Sequence, residues 1–271
     1  MIEKNQCDRV FWVASYPRSG NTLTRLLLGH IYFKMDEGFG PLNQIMPYHL
    51  GESYKSAQKI KTDFGDSIFL KTHADSCPSV SGFRNSGVYL YRHPLDVFLS
   101  SYNYCFITQE SSAFKNGVCK TVDQIFADGD LGYYFDQFMD FGGVPAFQSF
   151  AGSWVENVRN WRSFAKENEA DFIAVRYEDL TSDCASVFPK IAQVLGIKVT
   201  EETADEALKF INSRINHRIA DEETREAAQG FFWKRETYYY QKYLTENQIN
   251  RFNEKYRDLM GELGYINKDS Q

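Results

Sequence analysis

Val10-Phe-Trp-Val-Ala-Ser-Tyr-Pro-Arg-Ser-Gly-Asn-Thr22 runs from an apolar, β-type segment through a tight turn into residues with helical spacing. A strand, a Gly-containing turn and a helix start, in that order, present several backbone N–H groups to one anion. Arg18 sets a fixed positive charge in the turn, and Ser19, Gly20, Asn21 and Thr22 add small or short polar residues. Such a cradle suits a phosphate or a sulfonate. By itself the turn also fits a capped helix entry with a surface arginine, so its meaning depends on the rest of the chain.

Outward from this turn, Leu23, Leu26, Leu27, Ile31 and Phe33 give the following helix one apolar face. Residues 34–65 are mixed and read as loops with short helices. Ser67-Ile-Phe-Leu-Lys71 reads as a second strand ending in Thr72-His73, and Gly87-Val-Tyr-Leu-Tyr91 as a third ending in Arg92-His93. Pro94 then occupies the first position of a helix striped by Leu95, Phe98, Leu99, Tyr102 and Phe106. Asp171-Phe-Ile-Ala-Val-Arg-Tyr177 reads as a fourth strand. Ser153 caps a helix bearing Trp154, Val158, Trp161 and Phe164; further helices are expected near 183–195 and 201–214. Thr245-Glu-Asn-Gln248 opens a last one with a capping box. Strands alternating with helices predict an α/β three-layer sandwich with a central parallel sheet, like that of P-loop NTPases. Ligands of such sheets sit at the carboxyl ends of the strands, where each polar residue singled out here falls.

The 271 residues suit a single domain over 1–271, and an apolar share of 43% is enough for a sizeable core. Thirty Lys and Arg against 36 Asp and Glu leave a net charge of −6, which argues against a nucleic-acid binder. Five cysteines without a C-x-x-C pair argue against a disulfide framework or a zinc site and favour a cytoplasmic location. The N-terminal residues lack a basic region followed by an apolar one, and no run reaches ~18 apolar residues, so neither signal peptide nor membrane span is expected. Residues 107–152 are the least regular and are rich in aromatic residues, among them Phe126, Tyr133, Tyr134, Phe135, Phe138, Phe141, Phe147 and Phe150. Glycines interrupt them, which suits an insertion covering a substrate.

The Walker pattern G-x-x-x-x-G-K-[S/T] is missing: no glycine precedes the turn suitably, and no lysine precedes Thr22. No metal site is expected. His73, just past a strand end, has the residue type of a general base, and Lys71 points to the same side of the strand. An isolated histidine there is more often a structural one. Arg92 ends a strand and Ser100 follows two helical turns later, a spacing that brings both against one phosphate.

Together these segments resemble the cytosolic-type sulfotransferases that use 3′-phosphoadenosine-5′-phosphosulfate (PAPS). The family's Y-P-[K/R]-S-G-[T/N]-T loop on the 5′-phosphosulfate is matched by Tyr16 to Thr22, and its K-T-H segment with the catalytic base by Lys71 to His73. Its R-x₇-S pair on the 3′-phosphate is matched by Arg92 and Ser100. Gly152 to Trp161, Arg176 to Leu180 and Leu244 to Gln248 resemble further family segments, so the resemblance spans roughly residues 10–260. Arg18 stands where many animal members have lysine, and Leu23 where an aromatic residue often stacks on adenine. Tyr177 resembles the family's tyrosine on the base. The R-K-G segment at the 3′-phosphate appears as Trp233-Lys234-Arg235, without its glycine.

The resemblance implies in-line sulfonate transfer from PAPS, without a metal, to a hydroxyl or amine of a small aromatic or apolar acceptor. His73 is the implied base. Arg18 and the N–H groups of Ser19 to Thr22 stabilise the leaving nucleotide, and Lys71 adds positive potential. Arg92, Ser100, Lys234 and Arg235 hold the 3′-phosphate, and Leu23 and Tyr177 flank the base. The alternatives are an ATP-dependent small-molecule kinase and an inactive nucleotide-binding scaffold.

Overall fold

The computed structural model describes residues 9–34, 42–49, 57, 59–62, 64–80, 83–221 and 236–267. Its strands are β1 (Arg9–Ser15), β2 (Ile60–Thr62), β3 (Gly65–Thr72), β4 (Arg84–Tyr91) and β5 (Phe172–Arg176). They form one five-stranded sheet in the order β2-β3-β1-β4-β5. Four of them run parallel, as the alternation of strands and helices predicts. The edge strand β2 is antiparallel to β3 and falls in the stretch read as loops. Its three residues carry too short a pattern to register as a strand; the tight turn at Gly65, with φ of +114°, reverses the chain.

Side chains of β1 alternate between two apolar layers, because successive residues of a strand face opposite sides. Val10, Trp12 and Ala14 enter the layer that contains α3 (Pro94–Ile107), and Phe11 and Val13 enter the layer that contains α1 (Asn21–Phe33) and the short α2 (Leu42–Ile45). The chain leaves β1 for β3 on one side and crosses to β4 on the other. The carboxyl ends of β1, β3 and β4 therefore border the crevice where the sheet order reverses.

Residues 107–152 contain more helix than their sequence suggests: α4 (Val122–Ala127), α5 (Leu131–Phe141) and α6 (Gln148–Ala151) lie among single turns. Glycines 129 and 142, both at positive φ, break these helices into pieces too short for a clear period. Phe135 and Phe138 are buried in the core, while Phe126, Tyr133 and Phe150 are exposed. Beyond them come α7 (Trp154–Glu167), α8 (Tyr177–Ser182), α9 (Cys184–Val194) and α10 (Glu201–Ala220). The expected cap at Ser153 is present, its hydroxyl accepting from Glu156 N at 3.1 Å. The capping box at Thr245 opens the helix Glu246–Lys255. No described helix is long and apolar enough to cross a membrane.

Candidate active site

The turn after β1 ends at Gly20, whose φ of +105° caps α1 in the left-handed region. A side chain there would also place its Cβ 2.6 Å from Cδ2 of Tyr177, so only glycine fits. The first N–H groups of α1 have no intrahelical acceptor, and Gly20, Asn21 and Thr22 line a cavity of about 600 Å³. Ser19 does not line it. Its N–H donates to the Tyr16 carbonyl at 3.3 Å and closes the turn, so this amide is not among the donors facing the cavity.

Arg18 holds a left-handed conformation at φ +69° and directs its guanidinium to the same space. Desolvation lowers its pKa to about 10, with Arg92 nearby adding to the effect. Arg18 Nε donates to Ser100 Oγ at 3.0 Å, which joins the turn after β1 to α3.

His73 follows β3 directly, opposite Ser15 at the end of β1. Its Nδ1 lies 2.8 Å from the Ser15 carbonyl oxygen and 3.3 Å from Ser15 Oγ. A carbonyl only accepts, so Nδ1 carries the hydrogen and the lone pair is on Nε2. Burial lowers the imidazole pKa to about 3, helped by the charges of Lys71, Arg25 and Arg18 and opposed by the bond to Ser15. The ring is therefore neutral at physiological pH. Burial, with Arg25, lowers the Lys71 ammonium to about 8. This ammonium lies 5.1 Å from the Tyr48 ring, and the backbone of Lys71 pairs with Pro47 and His49.

Arg92 continues from β4. Its guanidinium lies 4.5 Å from the Tyr177 ring, and its terminal nitrogen donates to the Glu236 carbonyl at 3.0 Å. Arg92 Nε is buried without a hydrogen-bond partner, a donor that an anionic group in the cavity would satisfy.

Arg18, Gly20, Asn21, Thr22, Leu23, Lys71, His73, Arg92, Ser100 and Tyr177 thus line one cavity. Lys234 and Arg235 lie outside the described residues. Leu208, Asn212, Ile215 and Asn216 add one face of α10, and Tyr104, Phe147 and Phe150 add aromatic wall. The motifs do not flag the α10 residues, which become neighbours of the loop only through folding.

Asn157 also escapes the motif search. It is fully buried on α7, and its amide donates to the carbonyls of His73, Ala74 and Ala151 at 3.1, 3.3 and 2.9 Å. Trp161 Nε1 donates to Ala74 O at 2.8 Å. Together they hold the backbone that carries His73. The available signal was a polar residue on the same helical face as Trp154, Val158 and Trp161.

Residues 8–264 match the family model for the sulfotransferase domain. The amine sulfotransferase of Oryctolagus cuniculus is 24% identical over a stretch covering 93% of this chain and 81% of its own length. Sulfotransferase 2A6 of Mus musculus is 27% identical over 64% of this chain and 55% of its own length. Among solved structures, mouse sulfotransferase SULT7A1 complexed with PAP superposes with a TM-score of 0.59 at 18% identity, covering 97% of this chain and 86% of that one. Retinol dehydratase in a complex with retinol and PAP gives 0.62 at 17% identity, covering 98% and 83%. These superpositions show a common fold.

Proposed function

Because the chain belongs to the sulfotransferase family, we propose that its cavity binds PAPS and that the enzyme moves the sulfonate to a hydroxyl or amine of a small aromatic or apolar acceptor. The observation that carries this reading is one cavity lined by two cations from different strand ends, Arg18 after β1 and Arg92 after β4, with a neutral imidazole in its wall. The donor supplies an activated sulfonate. Arg18 and the first N–H groups of α1 hold charge on the departing 5′-phosphate. His73 Nε2 takes the acceptor's proton as its oxygen or nitrogen bonds to sulfur. Lys71 adds positive potential, and Arg92 with Ser100 holds the 3′-phosphate.

Leu23, Tyr177, Leu208 and Ile215 offer apolar and aromatic wall for the base, and Tyr104, Phe147 and Phe150 offer it for the acceptor. Apolar acceptors are in keeping with one neighbour in fold, retinol dehydratase, whose solved complexes hold retinol or androsterone. A thermal-shift comparison tests the nucleotide. PAP, the 3′,5′-bisphosphate product, should raise Tm by roughly 5–10 °C at a hundredfold excess over Kd, and ATP with Mg²⁺ should not. Mass gain on a panel of phenols, alcohols and amines then tests transfer. An equal shift from ATP, or no transfer to any acceptor, overturns the proposal.

Lys71 gives the reaction a defined pH dependence. With an aliphatic alcohol as acceptor, kcat/KM should stay level between about pH 5.5 and 7.5, since His73 is already unprotonated there. It should fall as pH rises through about 8, where Lys71 loses its charge. Lys71→Arg should remove that alkaline limb, and persistence of the limb in the variant would rule out Lys71 as its origin.

A further inference from the structure

Asp96 is fully buried one turn into α3, yet it does not serve as the helix cap. That role belongs to His93, whose side chain accepts from Leu95 N. The Asp96 carboxylate turns instead to residues 236–240. Oδ2 accepts from Tyr238 N at 2.7 Å and Oδ1 from Tyr240 N at 3.1 Å, while the Tyr239 hydroxyl donates to the Asp96 carbonyl at 2.7 Å. Tyr238 holds a left-handed φ of +59°, a conformation that a non-glycine residue keeps only when its surroundings enforce it.

The same carboxylate lies 3.7 Å from the Arg92 guanidinium, and Arg92 donates in turn to the carbonyl of Glu236. The Tyr239 hydroxyl also hydrogen-bonds the Ser100 side chain, which accepts from Arg18. The buried carboxylate therefore faces Arg92 directly and supports Ser100 indirectly, by pinning the backbone on either side of Tyr239, whose hydroxyl the Asp96 main-chain carbonyl also holds.

We propose that Asp96 is a positioning residue for the nucleotide's 3′-phosphate, holding Arg92 and, through Tyr239, Ser100 toward the cavity as one unit. This rests on the reading of the cavity as a PAP site. Asp96 itself does not line the cavity. An uncharged amide of the same shape would set its NH₂ against one of the two backbone donors and leave Arg92 without its counter-charge.

The test is calorimetric titration of the full chain with PAP and with AMP, which lacks the 3′-phosphate. Asp96→Asn should raise Kd for PAP about tenfold and leave Kd for AMP within about twofold. With saturating donor, kcat should hold while the donor KM rises. Asp96→Ser removes the counter-charge of Arg92 without setting an NH₂ against the backbone donors; it should give a loss in the same direction, and it decides the matter if Asp96→Asn fails to fold. Wild-type protein that prefers PAP to AMP, with variants that keep the full preference, overturns the role of Asp96 alone. Wild-type protein without that preference overturns the nucleotide reading and this inference with it. Equal losses for both nucleotides would mean general damage to the fold and would also refute the role.

Discussion

Replacing His73 by alanine lowers turnover by about 10²–10⁴-fold and leaves Kd for PAP within about threefold of the wild-type value. The two effects separate because the ring is uncharged in the free enzyme, its pKa lowered to about 3 by burial and by the neighbouring cations. Its removal takes no positive charge from the cavity. What is lost is the Nε2 lone pair, the proposed acceptor for the incoming proton, together with one hydrogen bond to the Ser15 carbonyl. Single-turnover assays report the chemical step and calorimetry reports binding. A parallel fall in both would show that His73 acts on the donor instead of on the acceptor's proton.

Arg92→Ala is expected to act in the opposite sense, raising Kd for PAP about 100-fold, or about 2.7 kcal/mol, and changing the affinity for AMP by no more than about threefold. The guanidinium is held by the Tyr177 and Tyr239 rings, the Asp96 carboxylate and the Glu236 carbonyl, and its Nε remains unpaired. Little conformational entropy remains to be lost when a phosphate arrives. Lysine should restore only part of the affinity, because a point charge lacks the planar fork. Titration of each variant with both nucleotides decides this, and equal losses for PAP and AMP would place the 3′-phosphate elsewhere.

The parts of this site legible in the sequence are those whose chemistry and position coincide. The turn at Arg18 to Thr22, His73 after β3 and Arg92 after β4 each sit at a strand end, and an apolar run followed by a polar residue marks a strand end. Ser100 was reachable because a helix fixes its distance from Arg92. Asn157 and Asp96 were not reachable in this way. Each is a polar residue inside an apolar helix face, and its partners lie far away in sequence: His73 O for the former, Tyr238 N and Tyr240 N for the latter. Long-range pairing of that kind leaves only an unexplained polar residue in the stripe. The wall from α10 was hidden for a related reason, since Leu208, Asn212, Ile215 and Asn216 meet the loop only across the layer that contains α1. The short antiparallel strand Ile60–Thr62 escaped because three residues cannot display a period.

The bond between His73 and the Ser15 carbonyl fastens the imidazole to the innermost strand of the sheet, and Asn157 and Trp161 fasten the backbone behind it. A ring anchored in this way has no freedom to follow acceptors of different outline. On the proposed reading, molecules of different shape bring their own nucleophile to a stationary point, and the tolerance for that lies in how far Tyr104, Phe147 and Phe150 in the cavity wall yield. Retuning selectivity without loss of rate is therefore a matter of reshaping those three rings.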